Sequence, residues 1–118
     1  MFEDRLKNLS SRIDGTVAAT LVDKDGITVE SFSRNEEVDL EALAAELLAE
    51  TGNIAREHRE LDLGELRQLS VTTDRYTVLV SSLTGDYSLL LVLKNQGSYG
   101  RARFELRRAL LDFESDLV

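Results

Sequence analysis

The sequence predicts an α/β (α+β) three-layer sandwich, in which a five-stranded antiparallel sheet is covered by helices on both faces. Three observations predict it. The stretch from Gly64 to Lys94 reads as three consecutive strands joined by tight turns, GELRQLSVTTD, YTVLVSSL and DYSLLLVLK. The last of these has Tyr87, Leu89, Leu91 and Leu93 on one side and Leu90 and Val92 on the other. A strand apolar on both faces belongs in the middle of a sheet covered twice. A second β-rich pair, TVAATLVDK and DGITVESFS, brackets Asp25-Gly26, a strong hairpin signal. Helical patterns precede, separate and follow these groups, so the element order is α-β-β-α-β-β-β-α.

The first helix rests on Phe2, Leu6, Leu9 and Ile13, spaced by three and four, with Glu3, Asp4, Arg5, Lys7 and Arg12 between them. Gly15 ends the connection to the hairpin. The Asp23-x-Asp25-Gly26 run with Glu30 has a faint likeness to a calcium loop. It lacks the third acidic ligand, the twelve-residue frame and flanking helices, so a turn is the better reading.

Asp39 is a good N-cap for a long helix, LEALAAELLAETGNIAREHREL. At about 100° per residue its side chains sort into three sectors. Leu40, Leu43, Ala44, Leu47, Leu48, Ile54 and Ala55 form an apolar band that should lie on the sheet. Glu46, Glu50, Asn53 and Glu57 form a solvated acidic strip. Between them runs a stripe of small residues, Ala42, Ala45, Ala49 and Gly52, with Arg56 beyond. Small side chains let a second backbone come close. Alanines that merely sustain helicity are the competing explanation, but Gly52 costs about 1 kcal/mol relative to alanine and so invites a packing role.

In the meander, Tyr76, Val78 and Val80 share one face of the second strand, with Leu79 and Leu83 on the other. The first strand is half-polar, with Leu69 and Val71 interleaved among Gln68, Ser70, Thr72 and Thr73, which suits a sheet edge. Asp74-Arg75 and Thr84-Gly85-Asp86 supply the turns. After a turn from Asn95 to Tyr99, Ser98 can cap a last helix packed through Ala102, Leu106, Ala109, Leu110, Phe113 and Leu117. Arg101, Arg103, Arg107 and Arg108 crowd its first half. They could meet an acidic partner, but a solvated face, or pairing with carboxylates such as Glu105 and Asp112, is the favoured reading.

With the leading hairpin strand placed beside the last meander strand, the sheet edges are DGITVESFS and GELRQLSVTTD. The second is a long edge with no proline and no lysine to protect it. Pairing with its own copy about a two-fold axis would join two sheets through Gln68, Leu69, Ser70, Val71 and Thr72. The stripe of Ala45, Ala49 and Gly52 would then meet its symmetry mate.

Composition excludes several classes of function. The 118 residues suit one domain, 1–118, with 42% hydrophobic and 31% charged residues. A net charge of −8 argues against nucleic acid and anionic membranes. Absence of cysteine removes disulfides and thiolate metal sites, and no apolar run approaches a membrane span, so a cytoplasmic protein is expected. His58 is the one histidine, read as partly buried or capping rather than as a base. No phosphate-binding glycine loop is present; Gly97-Ser98-Tyr99-Gly100-Arg101 reads as a strand-to-helix connection. No catalytic residue, metal site or cofactor is expected.

The layout resembles the roadblock family, the dynein light-chain-related domains that include bacterial gliding-motility regulators of a Ras-like GTPase. The matching stretches are Leu21-Val22-Asp23-Lys24-Asp25-Gly26, Leu43-Ala44-Ala45-Glu46, Leu89 to Val92, and Gly100-Arg101-Ala102-Arg103. The resemblance implies a roadblock/profilin-like sheet of strand order 2-1-5-4-3 and homodimers joined through the third strand and second helix. It also implies docking of a small Ras-like GTPase on the paired helices, with hydrolysis stimulated by repositioning the GTPase's own residues and no arginine finger. Glu46, Asn53, Arg56 and Glu57 are the expected partner contacts. The extended C-terminal tail of the gliding regulators is expected to be absent, so a shorter prokaryotic relative is the better match. The alternative is a structural dimerisation adaptor with no effect on GTP hydrolysis. A small-ligand sensor using a sheet–helix crevice is a third class.

Overall fold

The computed structural model describes residues 2–34, 36–83, 86–95 and 99–117. Its elements are α1 (Phe2–Arg12), β1 (Thr16–Asp23), β2 (Thr28–Ser33), α2 (Leu40–Glu60), β3 (Gln68–Thr72), β4 (Tyr76–Ser82), β5 (Tyr87–Lys94) and α3 (Tyr99–Leu117). The sheet is antiparallel in the order β2-β1-β5-β4-β3, as expected.

The two-faced apolar pattern of β5 places it in the centre. Leu91 lies opposite Ala19 of β1 and Leu79 of β4, and Leu90 opposite Thr20 and Val80. Because neighbouring side chains in a strand alternate between faces, this register builds two separate cores. Leu79, Leu89, Leu91 and Leu93 pack with Ala19 and Leu21 against α1 and α3, through Leu6, Leu9, Leu106 and Phe113. Val78, Val80, Leu90 and Val92 join Val17, Ala18 and Val22 under α2. Each fully buried leucine contributes about 1.5–3 kcal/mol.

Asp39 caps α2 as its chemistry dictates: its carboxylate oxygen accepts a hydrogen bond from the Ala42 N–H at 3.1 Å. The hairpin turn is held by Asp23, whose carboxylate accepts from the N–H groups of Asp25 and Ile27 at 2.9 and 3.0 Å. That carboxylate therefore serves the turn. Gly26 sits at φ +81°, and a Cβ there would lie 3.1 Å from the Ala45 Cα. The turn thus rests on the backbone of α2, and only glycine meets both demands.

The first meander strand is shorter than its sequence pattern. β3 begins at Gln68, not at Gly64. Asp62 and Gly64 adopt φ of +61° and +90°, which bends the chain after α2. The N–H groups of Leu61, Asp62 and Leu63 turn back to the carbonyls of Glu57, Arg59 and His58. Ahead of β3, the chain meets β4 where Ser82 donates from its N–H to the Arg67 carbonyl and from its hydroxyl to the Leu66 carbonyl. The Asp74-Arg75 turn forms, with the Thr73 N–H donating to the Tyr76 carbonyl at 2.8 Å. Thr84-Gly85, the Gln96–Ser98 stretch with its proposed cap, and the Gly97-Ser98 part of the connection before α3 lie outside the described residues.

Candidate functional site

The loop between α2 and β3 leaves two features side by side in the fold: a sheet edge and a helix with an open outer face. β3 ends the sheet, and among the described residues no strand lies beyond it. Its pairing with β4 sets Leu69 opposite Val80 and Val71 opposite Val78, so both point toward the α2 layer. Gln68, Ser70 and Thr72 point the other way, where Gln68 donates to the Ser81 hydroxyl at 3.0 Å. Gln68 and Leu69 are half-buried, whereas Ser70, Val71 and Thr72 are exposed, Val71 to 39%. An exposed valine on an edge strand is the half-open surface that a second strand would cover.

On α2, Ala42, Ala45, Ala49 and Gly52 are all exposed. A Cβ added at Gly52 would meet nothing within 4 Å in this chain. At Ala45 the close backbone is already present, and it belongs to the chain's own β1–β2 turn. The small-residue stripe therefore has two uses. Its N-terminal part seats the hairpin, and its Gly52 end is open.

The apolar band of α2 is less covered than its spacing suggests. Ala44 and Thr51 are the buried residues of the helix, while Leu43, Leu47 and Leu48 are half-buried. Leu43, Leu47 and Ala49, with Glu46 and Glu50, line a surface concavity of about 390 Å³. An apolar floor between two carboxylates suits a partner presenting an apolar side chain beside a cation. The structure brings Glu46 to this concavity. Asn53 and Arg56 form a separate pair along the helix, with the guanidinium donating to Asn53 Oδ1 at 3.4 Å, and Glu57 is exposed one turn further on. Leu43, Leu47 and Glu50 are the lining residues that sequence reasoning did not assign to contacts, since periodicity placed both leucines in the core. Their depth depends on how far α2 stands off the sheet.

His58 is half-buried, and its Nδ1 lies 2.8 Å from the Ile54 carbonyl, a contact within the helix rather than a catalytic one. Tyr76 donates its hydroxyl to Glu37 at 2.7 Å. That hydrogen bond, followed by desolvation, holds the phenol proton above its ordinary range, with Arg75 opposing. Glu105 is fully buried. Arg101 and Arg108 approach it at 3.1 and 3.6 Å as ion pairs without hydrogen-bond alignment, while Asp112 meets Arg5 of α1 at 3.9 Å. The pairing read from sequence thus holds for two of the four arginines toward Glu105. Among the described residues, no group of acidic or histidine side chains could hold a metal ion, and no helix is long and apolar enough to cross a membrane. The space between sheet and helices that a small-ligand sensor would use is filled by buried side chains such as Leu89, Leu90 and Leu91.

Comparison with known proteins follows the same lines. A Roadblock/LC7 domain model matches residues 3–94. The Roadblock/LC7 domain from Streptomyces avermitilis superposes with a TM-score of 0.88 at 17% identity, over 98% of this chain and 96% of that one. MglB from Myxococcus xanthus gives 0.88 at 15% identity, covering 98% and 93%. MglC from Myxococcus xanthus gives 0.73 at 28% identity, covering 98% of each. No curated protein matches the chain. The family match across most of the chain, on a sheet of this order with these helices, means that the chain belongs to the Roadblock/LC7 family.

Proposed function

We propose that the protein is a non-catalytic homodimeric module that regulates or scaffolds a small Ras-like GTPase in the cytoplasm. Membership of the Roadblock/LC7 family speaks for a regulatory or scaffolding module and against a catalyst. The observation that carries the dimer is the open β3 edge beside the open Gly52 end of α2. Neither feature suffices alone. Five paired residues add a handful of backbone hydrogen bonds, each worth about 0.5–1.5 kcal/mol net. Association costs at least about 4 kcal/mol in lost freedom, so apolar contact between paired α2 helices has to supply the rest. Ala49, Gly52, Leu69 and Val71 lie where that contact would form, with Ala45, Gln68, Ser70 and Thr72 at its margins.

The paired helices would then present Glu46, Asn53, Arg56 and Glu57 to the GTPase, and the acidic-rimmed concavity would receive one of its side chains. Regulation would consist of favouring one switch conformation, since a binder shifts an equilibrium only by its differential affinity for the two states. The test is a single-turnover GTP hydrolysis assay with the small GTPase that co-purifies with this protein from its native cells. Faster hydrolysis supports the regulator. Binding without a change in rate supports the dimerisation adaptor, and absence of any bound GTPase overturns both GTPase readings.

A further inference from the structure

We infer that the groove between the start of β3 and helix α3, on the sheet face opposite α2, binds an acidic segment of a partner protein. The groove measures about 360 Å³ and is lined by Arg67, Gln68, Ser81, Arg103, Arg107 and Leu110. Three arginines and, among the described residues, no carboxylate line it, in a chain where acidic residues outnumber basic ones 22 to 14. Such a concentration of positive charge runs against the composition and is a local feature of this surface.

The arrangement follows from two registers. Arg103 and Arg107 are four apart on α3 and so share a flank, about 6 Å from one another along the axis, with Leu110 on the same side. Gln68 and Ser81 lie opposite each other in the β3–β4 ladder and form the polar floor, joined by their hydrogen bond. Arg67, the residue before β3, closes one end. The other two arginines of α3 are engaged with Glu105, but among the described residues neither Arg67 nor Arg107 has an ion-pair partner. Past Arg67 the groove continues into a second concavity with His58, Leu63 and Glu65, and Glu65 is itself held by Arg59 at 3.4 Å.

Guanidinium groups spaced along a groove, rather than converging on one point, suit carboxylates carried on a chain. Leu110 and the exposed Leu63 give that chain apolar contacts. Among the described residues no aromatic side chain lines the groove for base stacking, which speaks against single-stranded nucleic acid. The groove belongs to one copy of the chain. Gln68 is shared between its floor and the margin of the proposed β3 contact, and a partner bound there would leave the outer face of α2 open.

The experiment is a titration of the isotopically labelled full-length protein with a fluorescein-tagged twelve-residue peptide of Glu, Asp and Leu, followed by NMR and by fluorescence anisotropy at two salt concentrations. Shifts confined to residues 63–70, 80–82 and 103–110 are expected. The Arg67→Gln/Arg103→Gln/Arg107→Gln variant, with its melting temperature measured as a check on folding, is expected to bind at least tenfold more weakly. Glu46→Gln/Glu50→Gln on α2 is expected to bind as the parent does. Shifts mapping to α2, binding within twofold of the parent in the triple variant, or equal binding of a lysine version of the peptide would each overturn the inference. So would tighter binding of a twelve-nucleotide single-stranded DNA at the same residues. Light scattering on the same samples reports the oligomeric state, so failure of the groove and failure of the dimer are read separately.

Discussion

Gly52→Ala separates the folding of one chain from the association of two. Gly52 lies inside α2, has no positive φ, and a methyl group there would meet nothing within 4 Å of its own chain. The substitution therefore carries no steric cost within the monomer and removes the entropic penalty of a helical glycine, a gain of about 1 kcal/mol. In a 118-residue protein that raises the melting temperature by about 3–6 °C. In a dimer whose α2 helices cross closely at Gly52, the two added methyls overpack the crossing at a cost of about 1–3 kcal/mol, which weakens association by about five- to a hundredfold. Urea unfolding at low micromolar concentration reads the first effect, and sedimentation equilibrium over a concentration series reads the second. Opposite signs are expected from the two measurements. An unchanged dimerisation constant would remove α2 from the interface, and a destabilised monomer would refute the open environment assigned to Gly52.

Val71→Lys puts a charge on the β3 edge beside its own copy across the two-fold; it should weaken the dimer about fivefold, and an unchanged solution mass would place the interface elsewhere. Gly26→Ala is expected to cost about 2–3 kcal/mol, from the left-handed backbone and from a Cβ pressed 3.1 Å from the Ala45 Cα. Gly64→Ala, at φ +90° with open space around it, should cost only the backbone part, about 1–2 kcal/mol. Equal losses by urea unfolding would show that the turn does not press on α2. The Tyr76 hydroxyl, held by Glu37, titrates above the ordinary tyrosine range. A raised pKa favours the protonated form in the fold, so its contribution is complete below the unfolded value and fades as pH rises through the folded one. Alkaline titration at 295 nm should therefore lose a component above the ordinary tyrosine range in Tyr76→Phe, and an unaltered curve would show that the Glu37 contact does not persist in solution.

Two surfaces of unlike charge lie on opposite sides of one sheet. Glu46, Glu50 and Glu57 give the α2 side its negative character, whereas Arg67, Arg103 and Arg107 make the α3 side positive beside β3. The fully buried Glu105 fits the same division, since it pairs with Arg101 and Arg108 on α3, while Arg103 and Arg107 line the groove.

Local periodicity by itself determined the eight elements, their order, the Asp39 cap, the Asp25-Gly26 turn and the central place of β5, because each depends on side chains a few residues apart. The edge position of β3 was legible for the same reason: a half-polar alternation needs no distant partner to be recognised. Only the tertiary structure decided how far α2 stands from the sheet, and hence that Leu43 and Leu47 border an open concavity although their spacing marks them as core. It also decided that Ala45 seats the hairpin turn while Gly52 stays open, and that Arg67, just before the edge strand, joins Arg103 and Arg107 of α3 around one groove. Those relations link residues tens of positions apart, and they are set by strand register and layer spacing, which no local pattern of hydrophobicity encodes.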